Sequence, residues 1–402
     1  MVKIGIVGIF RGIGFYTNAC NCKIVAICDK NEELVAKIKK EINDKDVTFY
    51  SDFDEFIKHD MDGVVLANYA TEHAPYAIKA MENGKHVLSE VLPCQTLKEA
   101  VELIECVEKT KMIYAYAENY CYFASTRKMK ELYRKGIIGE FEYGEGEYIH
   151  NCEFIWPALT CGDKHHWRNN QYATFYCTHS IGPLIHITGL RPKSVVGFEL
   201  PYTDRTARMG AKCGTAGIEM ITLENGAIIK SIHGYLNENS IWYSIYGSKG
   251  HMETNREIED GVSKDVLYIN ADSQEGINDG KYQEMNLESF NGKVRHEGSD
   301  YYPINNFADK IEGKDVDIID LYEALDMFLP GLMAYRSILK GGIPVKIPDL
   351  RKKEERDKYR NDTMCTDKNV ANEQYIYSYS KGKIEVPEEV YEIIKEKYEK
   401  QK

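Results

Sequence analysis

The sequence predicts an α/β fold in which an N-terminal doubly wound parallel sheet is followed by an α+β domain with a large, mainly antiparallel open sheet. In the first third of the chain, short apolar runs alternate with longer helical stretches, which is typical of parallel strands buried on both faces. After residue 123, several segments alternate apolar and polar residues, as expected of antiparallel strands with one covered face. The length of 402 residues suits about two domains.

The elements of the first domain follow one another from the first residues. The apolar run VKIGIVG is a strand that ends at Gly8, and a glycine-containing turn leads from it into a helical segment. The next apolar run, KIVAICD, is a strand that ends at Asp29. Further strand and helix units extend the domain to residue 123; they read VTFYSDFDEFIKH, DGVVLANYATEHAPYAIKAMENG, KHVLSEVLPCQTLKEAVELIECVEKT and KMIYAYAENYCYF.

The second domain, predicted over residues 124–345, opens with the helical stretch STRKMKELYRKG. Its segments with strand character are GEFEYGEGEYIH, SVVGFELPY, AGIEMITLE, GAIIKSIHGYL and SIWYSIYGSKGHMETN, and the amphipathic helix DLYEALDMFLPGLMAYRSILKGG comes later. Residues 346–402 are predicted to form a charged C-terminal extension that packs on the two domains and ends in a helix from Pro387. Because one sheet face is open, we expect a homo-oligomer, either a dimer or a tetramer.

Composition limits the kinds of partner. The formal net charge is −12 and Lys and Arg form no basic stripe, which argues against nucleic acid and anionic membranes. No apolar run approaches the length of a membrane span, and the first residues lead straight into a strand rather than a signal peptide. The 11 Cys include no CxxC pair, so reduced thiols are expected. We therefore expect a cytoplasmic protein that acts on small molecules.

The turn after the first strand has the pattern of a dinucleotide-binding fingerprint. Gly8 and Gly12 permit a tight turn and close approach of a pyrophosphate to helix amides, and Asp29 stands at the distance where an acidic residue binds the adenosine ribose. This Rossmann pattern predicts NAD rather than NADP, because Asp29 would repel a 2′-phosphate. Phe10 stands near the usual middle glycine, and Arg11 is either a phosphate contact or a solvated loop charge.

Other candidate cofactor-binding residues follow later strands of the same sheet. Asn68 and His73 come after the strand DGVVLA, Glu90 comes after KHVLS, and Asn119 comes after KMIYAYA. Ligands of doubly wound sheets bind beyond the carboxyl ends of the strands. These four residues are therefore expected to join the fingerprint in holding the dinucleotide.

The layout resembles the Gfo/Idh/MocA oxidoreductase family, named after glucose-fructose oxidoreductase, inositol dehydrogenase and a rhizopine catabolism protein. The segments GIVGIFRGIG, DGVVLANYATEHAPYAIKAMENGKHVLSE, AENYCY, GIIGEFEYGEGEY and YGSKG carry the resemblance. It implies an NAD(P)-binding domain followed by an α+β domain on an open sheet. Dehydrogenases of this family usually have Glu-Lys-Pro where this chain has Glu90-Val91-Leu92-Pro93, and a valine transfers no proton.

At this position and in several other segments, the chain is similar to one branch of the family. This branch comprises the NAD-dependent glycoside hydrolases of the α-N-acetylgalactosaminidase type and their broad-specificity relatives. The segments EV, EN, EYIH, WR and YCTHSIGP carry this closer likeness. In that branch the lysine is absent. The resemblance implies a redox-neutral hydrolysis with transient oxidation at C3 of a sugar, elimination across C1 and C2, water addition and re-reduction.

The resemblance also implies the acid-base residues, which are His179, Tyr148, Tyr176 and Glu118. A neutral imidazole suits both directions of proton transfer near neutral pH, so His179 is the leading candidate. Three of these residues have a structural alternative. His179 could be a capping or core histidine before a helix start at Gly182-Pro183, Tyr148 could face solvent or the sheet, and Glu118 could be a carboxylate that binds backbone amides.

Trp167 and Arg168 are placed with the cofactor-binding residues, although the pair could equally stack on and hydrogen bond a sugar ring, or anchor the surface. A set of His and Cys residues between His150 and His179 raises the question of a zinc site, but no pair has clean ligand spacing. No metal is therefore expected.

Three functions remain open at this stage. The redox-neutral glycoside hydrolase accounts for both Val91 and the YCTHSIGP segment. The alternative is an NAD-dependent sugar or polyol dehydrogenase, a glycoside 3-dehydrogenase that releases a keto-sugar and forms stoichiometric NADH. The third is a non-catalytic protein that binds NAD without turnover, either a sugar sensor or a partner subunit.

Overall fold

The structure is a computed structural model that describes residues 1–256, 258–259, 262–263, 266–272, 280, 282–287 and 299–401. In chain order the strands are β1 (Val2–Val7), β2 (Cys22–Cys28), β3 (Thr48–Tyr50), β4 (Gly63–Leu66), β5 (His86–Ser89), β6 (Tyr114–Tyr116), β7 (Phe141–Ile149), β8 (Pro192–Glu199), β9 (Ala216–Leu223), β10 (Ile228–Gly234), β11 (Ser240–Gly247), β12 (Gly250–Thr254), β13 (Ile258–Glu259), β14 (Val262–Ser263), β15 (Val266–Ala271), β16 (Gln283–Asn286) and β17 (Val345–Lys346).

Several helices begin at a capping side chain. Asn31, Asp52 and Thr96, for example, cap helix N-termini by accepting backbone N–H groups. In chain order the helices are α1 (Ile9–Asn18), α2 (Glu32–Ile42), α3 (Phe53–Phe56), α4 (His73–Glu82), α5 (Leu97–Thr110), α6 (Ala124–Arg134), α7 (Trp156–Thr160), α8 (Trp167–Asn170), α9 (Thr178–Thr188), α10 (Asp204–Arg208), α11 (Tyr301–Ile311), α12 (Leu321–Leu339), α13 (Lys353–Tyr359), α14 (Lys368–Ala371) and α15 (Glu388–Gln401).

The first compact unit is built on a six-stranded sheet in the order β3-β2-β1-β4-β5-β6. All five neighbouring pairs are parallel. The order in which successive strands are added reverses between β1 and β4. This is the switch point where such sheets bind ligands. Its core includes Ile4, Ile6 and Ile27 of the strands and Phe307 of α11. The parallel doubly wound sheet predicted from the sequence is confirmed.

The second unit is built on a nine-stranded sheet in the order β16-β15-β12-β11-β7-β10-β9-β8-β17. β7 and β10 run parallel, and the other neighbours pair antiparallel. Helices cover one face: a Cβ at Gly146 of β7 would lie 1.9 Å from the carbonyl oxygen of Ser180 in α9, and one at Gly197 would lie 2.4 Å from that of Ala334. The mainly antiparallel sheet expected after residue 123 is confirmed.

Residues group into these units differently from the predicted linear boundaries. Residues 1–123 form the first unit together with the described part of Ser289–Leu325 and with Leu350–Asp362, and the remainder of the chain forms the second. The reason is that α11 and α13 pack against elements of the first unit, α11 on α1 and α13 on α5. Local sequence patterns contain no signal for such returns of the chain.

Helix α9 begins at Thr178, four residues earlier than the start at Gly182-Pro183 that the sequence suggested. Pro183 therefore lies inside the helix, where it has no N–H to donate to the carbonyl of His179 four residues before it. The buried hydroxyl of Tyr243 in β11 donates to that carbonyl instead. A side chain from the sheet thus replaces the hydrogen bond that the proline removes.

Candidate active site

The glycine turn of the first unit has the close backbone approach that a dinucleotide needs. Gly8 has φ 88°, and a Cβ there would lie 2.4 Å from the backbone of Ala67 in the chain after β4. A Cβ at Gly12 would lie 2.5 Å from Ile6 of β1. Only glycine suits either position, so the turn brings the first amides of α1 to the carboxyl end of the sheet.

Asp29 and Phe10 flank this turn. Asp29 directly follows β2, and its carboxylate accepts the N–H of Ile9 at 2.8 Å and the N–H of Asn31 at 2.9 Å. The carboxylate thereby fixes the start of α1 while staying half-buried. The Phe10 side chain is 61% exposed, so it fills no space in the unit's core.

Arg11 is held by carboxylates rather than left in solvent. Its guanidinium makes two parallel hydrogen bonds to Asp300 at 2.7 and 2.8 Å and an ion pair with Glu90 at 2.7 Å. The amide of Asn119 donates to the same Asp300 carboxylate at 3.1 Å. Asp300, which the sequence reasoning missed, thus links Arg11 to Asn119, and Arg11 in turn pairs with Glu90. All three are predicted cofactor residues.

His73 and Asn68 lie where the strands β4 and β5 end. His73 is 1% exposed, and its ring nitrogens lie 2.7 Å from the carbonyl oxygen of Leu92 and 3.3 Å from that of Asn68. Burial lowers the pKa of His73 to about 4. In the structure this imidazole connects two loops through their backbone, and the Asn68 amide donates to Glu72.

Replacing His73 by glutamine should flatten the acid dependence of stability. A folded-state pKa of about 4 lies below the ordinary value, so acid protonates the unfolded chain first, and the stabilisation present above about pH 6.5 is lost as the pH falls towards 4. The stability difference between about pH 7.5 and pH 5, measured by urea unfolding, should shrink by about 2 kcal/mol in His73→Gln. The exposed His165→Gln should keep the wild-type difference; equal behaviour of both variants contradicts the prediction.

Glu118 of the first unit follows β6 and caps a short 3-10 turn over Asn119–Tyr122. Its side chain is completely buried, and it accepts the N–H of Tyr120 at 3.3 Å. The contact matches the structural alternative for this residue, a carboxylate that binds backbone amides.

Three aromatic residues of the second unit lie together beside a small pocket, and Tyr148 and Tyr176 line it. The rings of Tyr148 and His179 meet edge to face with centroids 4.6 Å apart, and Tyr176 lies 5.1 Å from His179 and 6.1 Å from Tyr148. Tyr148 comes from β7, while Tyr176 and His179 come from the start of α9 and the residues just before it. Three of the four predicted acid-base residues are thus neighbours.

Arg168 and Trp167 lie beside this group, in the second unit rather than in the Rossmann unit. The Arg168 guanidinium stacks over Trp167 at 4.4 Å and over Tyr176 at 5.0 Å. Arg168, Tyr148 and Tyr176 all line the pocket. Cation and ring stacking of this kind fixes a guanidinium without a carboxylate. The structure therefore groups Arg168 with the acid-base candidates rather than with the cofactor-binding residues of the first unit.

The pocket also contains groups that the sequence reasoning did not place there. His150 and Cys152 line it, with the thiol sulfur 2.6 Å from Nδ1 of the imidazole, and burial raises the pKa of Cys152 to about 11. His233 lines it from β10. Within the described ranges, no three His, Cys, Asp or Glu side chains are arranged to hold a metal ion. The described helices also include none long and apolar enough to cross a membrane.

Replacing Tyr243 by phenylalanine should destabilise the start of α9. Without the hydroxyl, the carbonyl of His179 loses the donor from β11, and loss of such a hydrogen bond costs about 0.5–1.5 kcal/mol. Urea unfolding should show that loss of stability. Tyr246→Phe is the matched control because Tyr246 lies on the same strand and is exposed; equal stability of the two variants would show that the contact is dispensable.

The turn, the parallel sheet and the carboxylate after β2 define a protein with a dinucleotide-binding Rossmann unit. Residues 2–118 match the oxidoreductase family with an NAD-binding Rossmann fold, and residues 160–347 match that family's C-terminal alpha/beta domain. The chain therefore belongs to the Gfo/Idh/MocA family, and its cofactor is NAD.

Curated relatives have names from the closer branch. The chain is 31% identical over 287 residues to "Glycosyl hydrolase family 109 protein 4" of Phocaeicola vulgatus, which covers 62% of this chain and 55% of that protein. It is 26% identical over 400 residues to "Glycosyl hydrolase family 109 protein 1" of Bacteroides thetaiotaomicron, covering 87% and 84%. The chain thus spans about half the length of the first relative and most of the second.

Solved structures show the same fold at low identity. The scyllo-inositol dehydrogenase of Lactobacillus casei, solved with NAD(H) and scyllo-inositol, has a TM-score of 0.69 at 19% identity and covers 86% of this chain and 99% of its own. An oxidoreductase of Agrobacterium radiobacter, solved with NAD+, L-tartaric acid and magnesium, has a TM-score of 0.71 at 13% identity, covering 86% and 98%. Both confirm the two-part architecture.

Proposed function

We propose that this protein is an NAD-dependent, redox-neutral glycoside hydrolase. The observation that carries the proposal is the contact of His179 with Tyr148 and Tyr176, two residues that line a pocket with Arg168. The cluster supplies proton-transfer groups, whereas the side chain of Val91 transfers no proton. The relatives named glycosyl hydrolase family 109 support the same reaction class. The substrate is a small glycoside.

The proposed reaction divides the work between the cofactor and the pocket. The turn at Gly8 and Gly12 would hold NAD, which would supply the hydride acceptor and donor for C3 of the sugar. His179 takes the proton of the C3 hydroxyl and then hydrogen bonds to the ketone oxygen, which stabilises charge there. The ketone acidifies the proton on C2, which Tyr148 removes as the group on C1 leaves. Water then adds its hydroxyl group to C1 of the enone, and its remaining proton neutralises the group that left C1 with the bonding electron pair. Tyr148 returns its proton to C2, and His179 returns its proton to the oxygen on C3.

The neighbouring groups adjust these two residues. The Arg168 guanidinium stacks on Tyr176 and interacts electrostatically with both Tyr176 and Tyr148, and nearby positive charge favours a phenolate. Tyr148 therefore gains the electropositive setting that a tyrosine base requires. Glu118 is proposed to orient a sugar hydroxyl or a catalytic group, and Tyr176 to orient His179.

A second candidate function is an NAD-dependent glycoside 3-dehydrogenase, which would stop after the first hydride transfer and release a keto-sugar. The fold shared with scyllo-inositol dehydrogenase favours it. It differs in that NADH accumulates in proportion to product.

The test follows three signals at once in purified protein incubated with aryl α- and β-glycosides in heavy water. Release of the aryl group with deuterium at C2 and no net NADH supports the hydrolase. NADH that accumulates with a keto-sugar and no aryl release supports the dehydrogenase instead. NAD binding without turnover of any glycoside would contradict both.

We also propose that the protein forms a homo-oligomer through the open face of the nine-stranded sheet. Exposed or half-buried Tyr143, Phe198, Trp242 and Tyr246 lie on described strands of that sheet, and large apolar surfaces of this kind commonly mark protein contacts. Light scattering after size exclusion measures the mass; a monomer at micromolar concentration would contradict the proposal.

A further inference from the structure

We infer that His233, fixed by Glu219, binds a sugar hydroxyl in the pocket of the second unit and so helps to determine which glycoside is accepted. This inference rests on the proposed function for the identity of its ligand. It concerns two residues that neither the fold nor the proposed acid-base chemistry uses.

The two residues are placed by strand register. His233 of β10 is the direct neighbour of Tyr148 in the parallel pairing with β7, so both side chains can line the same pocket. Glu219 stands on β9, the strand on the other side of β10. Nε2 of His233 lies 2.7 Å from Oε1 of Glu219, and the side chains are 2% and 0% exposed.

The contact with Glu219 determines what the imidazole offers to the pocket. An ionised carboxylate only accepts hydrogen bonds, so Nε2 carries the proton. Nδ1 is then the nitrogen left to the pocket, and among the described residues it has no hydrogen-bond partner. It accepts a hydrogen bond when the ring is neutral and donates one when the ring is charged. A sugar hydroxyl, which both donates and accepts, fits either state.

A purely structural role explains the pair less well. The second carboxylate oxygen of Glu219 is buried without a hydrogen-bond partner in the described part of the chain, and such an oxygen costs stability. Replacing buried charged pairs by apolar residues is often neutral or stabilising. A pair that stabilised only the sheet would therefore be a poor solution, whereas a fixed imidazole at a pocket wall suits recognition.

The experiment measures binding for every combination of protein variant and deoxy-sugar, so that the effect of removing a side chain can be compared with the effect of removing a hydroxyl. Calorimetry measures the Kd of methyl α- and β-glycosides of glucose, galactose and N-acetylgalactosamine, and of their 3-, 4- and 6-deoxy forms, for NAD+-saturated protein. For the preferred glycoside we expect one deoxy form to bind about 10- to 100-fold more weakly to the wild type. His233→Leu should lose the same factor for the parent glycoside and lose nothing further for that deoxy form.

Two more variants keep the test decisive. Glu219→Gln keeps an oxygen acceptor for Nε2, so it should fold normally and lose about 3- to 10-fold for the parent glycoside because the ring is held less firmly. His251→Leu is the matched control: His251 is another buried sheet histidine, hydrogen bonded to Ser244 and outside the pocket lining, and it should keep the wild-type pattern.

The outcomes separate this inference from the proposed function. In the contrary outcome, each protein variant weakens the binding of every deoxy form as much as it weakens the binding of the parent glycoside. That result in both His233→Leu and Glu219→Gln would overturn the role of His233, even if hydrolysis is observed. Coupling at one hydroxyl without any release of an aryl group would support His233 while overturning the hydrolase. A wild type that binds none of these sugars would overturn both.

Discussion

Replacement of His179 by alanine should lower kcat for glycoside hydrolysis by about 10²- to 10⁴-fold, the usual contribution of a positioned general acid-base group. The imidazole touches both tyrosine rings of the cluster, and no other histidine on α9 lies against them. KM should change much less, because the ring acts on the proton of a bound hydroxyl. Steady-state kinetics with the best aryl glycoside measure both constants.

Two comparisons show whether that loss is chemical. His186→Ala removes another buried histidine from the same helix, one that lies within hydrogen-bond distance of Lys130, and should leave kcat within about twofold. Tyr148→Phe keeps the ring contact with His179 but removes the hydroxyl, so it should lower kcat and abolish deuterium exchange at C2. If His179→Ala kept more than a tenth of wild-type kcat, another group would have to perform the proton transfer.

Replacement of Gly146 by alanine should destabilise the protein by about 3 kcal/mol or more, near the upper end for an inserted methyl group. The new Cβ would lie 1.9 Å from the backbone oxygen of Ser180, an atom that cannot turn aside as a side chain does. Either α9 or β7 must move, and each carries part of the Tyr148 and His179 pair. The free energy of unfolding, measured with urea, and kcat should therefore fall together.

Gly144→Ala is the matched change two residues earlier on the same strand. Its Cβ would meet the Phe141 ring at 2.9 Å and the Ser244 carbonyl oxygen at 3.1 Å, and the ring can give way. A smaller loss of stability with nearly normal kcat is expected. If Gly146→Ala were as stable as the wild type, α9 would have room that the structure does not show.

The sequence predicted most successfully where function depends on consecutive residues. The strand, turn, helix and second strand around Gly8 and Asp29 form one local unit, so spacing alone identified the Rossmann domain. The grouping of Tyr176 and His179 is equally local, since they lie one helical turn apart. Tyr148 joined them only through the family resemblance, because nothing in its own segment shows which face of β7 α9 covers.

Contacts between distant residues were beyond sequence reasoning. Asp300 binds Arg11 across 289 positions, and its surroundings in the sequence contain no motif. Glu219 and His233 come together because β9 and β10 pair in one register, and a shift of one residue would turn one of them to the other face. The early start of α9 was missed since Pro183 normally begins or breaks a helix, and its compensation by Tyr243 comes from another strand.

The hydroxyl of Tyr243 also makes the helix that carries His179 depend on its neighbour for its own formation. The first turns of α9 cannot complete their hydrogen bonds from their own backbone, because Pro183 contributes none to the carbonyl of His179. The Tyr243 hydroxyl of β11 donates a hydrogen bond to this carbonyl in place of the missing N–H. As a peptide, the segment Thr178–Thr188 should therefore be weakly helical, and in the protein this helix and the sheet should form and unfold as one cooperative unit.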